Sequence, residues 1–264
     1  MSAVQALRAR FAAGDPRALA RALSWATAGD PRAEALLQGA PSPRQGAAAI
    51  GLSGPPGAGK STLADHLVGA WRDRGLRVAV LAVDPSAPAG GGALLGDRVR
   101  LARGSGDPDV FVRSLACRGR GGGLAPGLAT ALALLRAFGF DRVLVETVGA
   151  GQGDVDVAAH VDTLVVVQAP GLGDDVQAAK AGLLDVADVL VVGKADLPGA
   201  DRLARELAEA LAVAAAANPP GDWTPPVVRV AVGAPSARRP PDLRHDGGVG
   251  ALLAAVEAHA GRAG

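Results

Sequence analysis

Short apolar runs bounded by glycine, proline and aspartate recur along most of the chain, at 48–53, 77–83, 110–115, 142–148, 163–168, 189–193 and 227–232. Most are separated by stretches long enough to hold a helix. Strand-length runs alternating with helix-length segments predict an α/β fold: a mostly parallel central sheet flanked by helices on both faces. Ligands of such sheets sit beyond the carboxyl ends of the strands, so the loops after these runs are where chemistry is expected. The first forty residues carry a helical pattern instead. Asp15-Pro16 and Asp30-Pro31 each place a capping carboxylate before a proline suited to a first helical turn. Leu19, Leu23, Trp25, Leu36 and Leu37 form a buried stripe around them. The linker-like "APSPRQG" at 40–46 separates a helical segment, 1–45, from the larger unit, 46–264. After the last run come Pro- and Gly-rich loops at 217–226 and 233–248, then a final helix at about 249–260.

Composition narrows the classes of function. A formal charge of +1 over 264 residues gives no bulk attraction to nucleic acid or anionic membrane. Aromatic residues are 3% and tyrosine is absent, so base-stacking platforms are not expected. The single cysteine, Cys117, allows no internal disulfide and too few ligands for a cysteine zinc site. His66, His160, His245 and His259 show no metal-ligand spacing. With neither a signal core nor an apolar run near 20 residues, the expectation is a soluble cytoplasmic protein.

The strongest chemical signal is "GPPGAGKST" at 54–62, which follows an apolar run and precedes an amphipathic segment. It satisfies G-x-x-x-x-G-K-[ST] through Gly54, Gly59, Lys60 and Ser61. Gly54, Pro55, Gly57, Ala58, Gly59 and Thr62 supply a backbone that wraps phosphate with its N–H groups inward, helped by the helix N-terminus. Lys60 neutralises phosphate charge and the Ser61 hydroxyl can ligate Mg²⁺. The motif predicts a nucleoside triphosphate site and is silent on the base.

Carboxylates at strand ends extend this picture. Asp84 ends "VLAVD", Asp97 lies in "GALLGDRVR", and Glu146 ends "VLVE". Beside a phosphate loop, such residues bind Mg²⁺ or orient its water; the alternatives are a turn cap for Asp84 and a surface pair with Arg98 for Asp97. "VETVGAGQGD" has the glycines, Gly149 and Gly151, of a loop that rearranges with nucleotide state. Gln152 and Asp154 within it are candidates to orient the attacking water.

"VLVVGKADLP" at 189–198 bears on the base. Gly193-Lys194-Ala195-Asp196 is one residue away from Asn-Lys-x-Asp, the guanine-reading signature. The Asp196 carboxylate can accept from the ring N–H and exocyclic amine of guanine, whereas adenine offers it an unpaired lone pair, at about 1–3 kcal/mol. The Lys194 stem can pack on the base face, and backbone near Ala231 can donate to the guanine carbonyl. Glycine in place of asparagine removes one amide contact, about 1–3 kcal/mol. The simpler alternative is a strand-end turn.

Taken in order, these motifs resemble the MeaB-type, or ArgK-like, P-loop GTPases, chaperones of adenosylcobalamin-dependent mutases such as methylmalonyl-CoA mutase. "GDPRALARALS", "RGLRVAVLAVDPSAP", "GGALLGDRVRL", "FVRSLACRGRGGGL", "ETVGAGQGD", "DDVQAAKAGLLDVAD" and "WTPPV" carry the resemblance with the phosphate loop, over roughly 10–230. It implies slow Mg²⁺-dependent GTP hydrolysis, with Ser61, Asp84, Asp97 and Glu146 around the metal. It implies nucleotide-responsive segments near 89–105, 147–154 and 170–181, the last presenting Asp174, Gln177 and Lys180 to the mutase. Read without the resemblance, those three are the exposed face of a helix start. Arg113, Arg118 and Arg120 are placed to face a partner or the phosphates. The departures are Gly193, Ala231-Val232 where Ser-Ala is usual, Asp154 for Glu, Ala178-Ala179 for a Gly-Ile type pair, and an early end that removes the expected dimerising extension. The oligomeric state stays open. The competing readings are an ATP-dependent kinase or transport ATPase, a non-catalytic nucleotide-binding paralogue, and a metal-insertion GTPase whose His- or Cys-rich segment is missing.

Overall fold

The computed structural model describes residues 3–84, 106–116, 127–147, 157–172, 185–217, 221–233, 239, 243 and 246–262, with the side chains of residues 84, 116 and 217 left out. Among these, strands β1 (Ala48–Ser53), β2 (Val78–Asp84), β3 (Val110–Ala116), β4 (Arg142–Thr147), β5 (Thr163–Gln168), β6 (Val189–Val192) and β7 (Val227–Arg229) fall within a residue of the apolar runs, except that β7 fills only the first half of its run. They form one sheet in the order β3-β2-β4-β1-β5-β6-β7, and every pairing is parallel. β1, β4, β5 and β6 are almost wholly buried, as expected of strands covered on both faces.

Alternation along the strands sorts side chains into two cores. Ala48, Ile50 and Leu52 of β1, with Leu144, Val165 and Val167, pack against α4 (Lys60–Asp73) and the helix at the chain's end, Val249–Ala260. Ala49, Val143, Val145, Leu164 and Val166 face the other way. There they meet α1 (Ala3–Ala12), α2 (Pro16–Thr27), α3 (Arg32–Leu37), α5 (Leu128–Ala137) and α6 (Ala200–Ala217). The end helix, α7, occupies the span its sequence pattern predicts.

The N-terminal helices belong to this second core. Leu19, Leu23 and Leu36 are fully buried, Trp25 nearly so, and Leu37 packs at the margin. Asp15 caps α2 by accepting from Arg17 N–H at 2.8 Å, ahead of Pro16. α3 starts one residue later than its Asp-Pro pair suggests, although Asp30 Oδ1 still accepts from Arg32 N–H at 3.0 Å.

The run at 227–232 is cut short as a strand. β6 ends at Val192, so beyond Arg229 there is no ladder partner. Instead Val230 N–H donates to Val192 O at 2.8 Å and Ala195 N–H to Val230 O at 3.0 Å. The end of β7 thus brackets the loop carrying Lys194 and Asp196.

Candidate functional site

β1 lies near the middle of the sheet and delivers the phosphate loop at its carboxyl end. Gly54 has φ +136°, and a Cβ there would lie 2.1 Å from Val167 O. Only glycine lets the loop leave β1 so close to the end of β5. The loop closes onto α4, headed by Gly59 in the left-handed region, so the first-turn N–H groups and the positive end of the helix face the phosphate position.

Lys60 is buried, and its Nζ donates to Gly54 O at 2.5 Å and Pro55 O at 3.0 Å. The ammonium is held over the loop it serves, and phosphate oxygens compete for it with these carbonyls. One residue on, Ser61 Oγ donates to Glu146 Oε1 at 2.5 Å. Glu146 reaches it because β4 lies beside β1 with Leu52 opposite Glu146, and because Glu146 faces α4, as Leu144 does two residues earlier. Burial pushes the Glu146 carboxyl above the usual carboxylate range; the Ser61 bond and the nearby Lys60 charge oppose this only partly.

Glu146 Oε2 is buried with no hydrogen-bond partner among the described residues. An orphaned buried carboxylate oxygen beside a serine hydroxyl, in an all-oxygen donor set, fits a hard divalent cation such as Mg²⁺. Among the described residues no group of three or more His, Cys, Asp or Glu comes together. Asp84 ends β2, the strand beyond β4, so its backbone stands one strand further from the phosphate loop.

On the other side of the phosphate loop, Gly193 is buried, Lys194 is exposed with φ +51°, and Asp196 is half-buried. Neither the Lys194 nor the Asp196 side chain bonds to another described residue. Between this loop and the phosphate loop lies a cavity of about 60 Å³, lined by residues including Ala58, Thr62, Lys194 and Val232. Ala231 is buried nearby, but its N–H already donates to Gly247 O at 2.7 Å. The donor expected near Ala231 for a base carbonyl is therefore shared or belongs to a neighbouring residue.

Several sequence-predicted residues lie outside the described ones: Asp97, Gly149, Gln152 and Asp154, the mutase-facing Asp174, Gln177 and Lys180, and Arg118 and Arg120. Arg113 is described and does not face the phosphates. Its Nη1 donates to Ala20 O at 2.5 Å and its Nη2 to Ser24 Oγ at 2.8 Å, tying edge strand β3 to α2.

The sequence pattern passed over Ser53 and Gln168, polar residues ending apolar strands β1 and β5. Both are buried at the carboxyl edge, and Ser53 Oγ and Gln168 Oε1 have no partner among the described residues. A polar residue closing an apolar strand at that edge was the available signal. A larger cavity, about 560 Å³, lies at the opposite edge of the sheet, lined by residues including Asp188, Leu211, Trp223 and His259. There His259 Nε2 lies 3.1 Å from Asp188 Oδ1, and Trp223 Nε1–H donates to Asp188 O at 2.8 Å. It is remote from the phosphate loop. Among the described residues no helix is long and apolar enough to cross a membrane.

The profile of the family described as "Methylmalonyl Co-A mutase-associated GTPase MeaB" matches residues 19–262. A Pyrococcus abyssi protein provisionally named a GTPase is 47% identical over 219 residues, covering 83% of this chain and 68% of that protein. The fused isobutyryl-CoA mutase of Cupriavidus metallidurans is 40% identical over 203 residues, 75% of this chain and 18% of that much longer protein. The solved structure of an LAO/AO transport system kinase superposes with a TM-score of 0.68 at 26% identity, covering 97% of this chain and 74% of that one.

Proposed function

The chain belongs to the MeaB family of methylmalonyl-CoA mutase-associated GTPases, and from that premise we propose that it is a Mg²⁺-dependent, slowly GTP-hydrolysing switch that attends an adenosylcobalamin-dependent acyl-CoA mutase. The observation that carries the chemical part is the joining of Lys60, Ser61 and Glu146 at one end of α4, with Gly193 and Lys194 of the base loop lining the cavity beside it. The mutase part is supported by the family description and by a relative in which a homologous segment is fused to a mutase.

On this reading the phosphate-loop N–H groups and Lys60 hold the β- and γ-phosphates and stabilise charge as water attacks the γ-phosphorus in line. Ser61, Asp84, Asp97 and Glu146 would hold Mg²⁺, which supplies charge neutralisation at the phosphate oxygens when bound. Gln152 and Asp154 are proposed to orient the water, and Gly149 to sense the γ-phosphate. Asp174, Gln177 and Lys180 are proposed to carry nucleotide state to the mutase. Residues 46–264 would form the hydrolytic unit and residues 1–45 a helical segment docked on it. The near-neutral charge and lone cysteine support a cytoplasmic setting without nucleic-acid or membrane partners.

The test is phosphate release from GTP with Mg²⁺, alone and with a cobalamin mutase added. Slow release that accelerates with the mutase and disappears in Lys60→Ala is expected. Release from ATP at the same rate, or indifference to any mutase, counts against the proposal.

A further inference from the structure

The loop after β6 is strapped down on both sides. Gly193 N–H donates to Gln168 O at 2.7 Å, and Ala195 N–H donates to Val230 O at 3.0 Å. On its inner side the backbone of Gly193 rests on the phosphate loop: a Cβ there would lie 2.7 Å from Ala58 O and 3.2 Å from Val167 Cγ1. A Cβ closer than about 3 Å to a backbone oxygen forces one loop to move. The asparagine of the usual signature therefore has no room for even its first side-chain carbon while the two loops touch as they do.

The consequence concerns one edge of the base. Guanine presents acceptors at N7 and O6, and donors on its ring nitrogen and exocyclic amine. Asp196, without a bond to any described residue, is suited to the donor edge. At position 193 nothing serves N7: the side chain is absent and the main-chain N–H is committed to Gln168. None of the residues lining the neighbouring cavity carries a side-chain amide.

We infer that Gly193 is a specificity-determining residue which trades the N7 contact for direct docking of the base loop on Ala58, so that the site takes guanine nucleotides with or without an acceptor at N7 on nearly equal terms. The inference rests on the guanine-nucleotide reading above. It also makes Gly193→Asn a loss rather than a repair, because the added carbon pushes the Ala58 carbonyl and with it the phosphate loop.

The experiment is displacement of a fluorescent N-methylanthraniloyl GDP from the wild-type protein by GDP, 7-deaza-GDP, IDP and ADP. 7-Deaza-GDP is expected within about threefold of GDP, and IDP, which lacks the exocyclic amine, about tenfold weaker or more. A tenfold loss with 7-deaza-GDP overturns the inference and leaves the guanine reading standing, since a donor such as Thr62 or Lys194 then serves N7. ADP displacing as well as GDP removes the guanine reading, and the inference with it. Gly193→Asn, checked for folding by circular dichroism, is expected to bind GDP about tenfold more weakly. Tighter binding with new sensitivity to 7-deaza substitution would show that the loops have room, and would overturn the inference independently.

Discussion

Ser61 Oγ on the first turn of α4 donates to Glu146 Oε1 near the end of β4 across 2.5 Å, with the second carboxylate oxygen buried and unpartnered among the described residues. Burial is the dominant influence on Glu146 and raises its pKa. The folded chain therefore binds a proton more readily than the unfolded chain between the ordinary carboxylate pKa and the raised one. Across that window stability falls as pH rises. Glu146→Gln removes the buried charge, so the nucleotide-free variant should melt higher than wild type at neutral pH, with the gap closing on acidification. Turnover of Mg²⁺–GTP should drop about 10–100-fold. Thermal melts across pH, paired with phosphate release, check both halves.

Lys60 lies beneath the phosphate position with its ammonium on two loop carbonyls. Lys60→Ala should lower kcat/KM for GTP by about 10²–10³-fold while preserving the fold, as read by single-turnover hydrolysis beside a circular dichroism spectrum. Full activity in this variant would show that the loop is not used as its sequence implies.

Away from the site, Glu257 on α7 accepts from Trp71 Nε1–H at 2.9 Å and from Arg142 Nε–H at 3.1 Å. Trp71 is fully buried and the Arg142 side chain is 12% exposed. Burial raises the Glu257 pKa, but the bonds and charge of Arg142, with the Trp71 bond, outweigh it and leave the pKa below the usual value. This depressed carboxylate contributes stability that is full above its unfolded pKa and is lost as pH falls through the folded one. Glu257→Ala should cost about 2–4 kcal/mol in urea titration near neutrality, moderated by the partial exposure of the pair. The cost should shrink in acid.

Arg113 joins β3 to α2 through Ala20 O and Ser24 Oγ. Arg113→Met should lower stability by about 1–3 kcal/mol and speed proteolysis within residues 1–45. GDP affinity should hold, because the guanidinium does not face the nucleotide.

The strands were legible because both faces of the sheet are covered, which makes each strand a continuous apolar run bounded by turn residues. The phosphate loop was legible because its chemistry requires fixed residues at fixed spacing. Residues 230–232 misled because an apolar segment past the last ladder bond, such as Val230, reads like strand while it packs against the base loop. Arg113 misled because a cation in a Gly-rich context suggests anion binding, and the partner it uses lies some ninety residues away in α2. Gly193 was visible as a missing amide. That it marks a contact between two loops depends on the 2.7 Å separation from Ala58 O, which no local pattern encodes.

Guanine recognition through Asp196 is the claim on which the functional account turns. Calorimetric titration of the wild-type protein and Asp196→Ala with GDP and ADP, each with Mg²⁺, tests it most directly. The account predicts that wild type binds GDP at least about tenfold more tightly than ADP and that Asp196→Ala loses that preference. ADP binding as tightly as GDP to the wild type, or a guanine preference that survives Asp196→Ala, would contradict it.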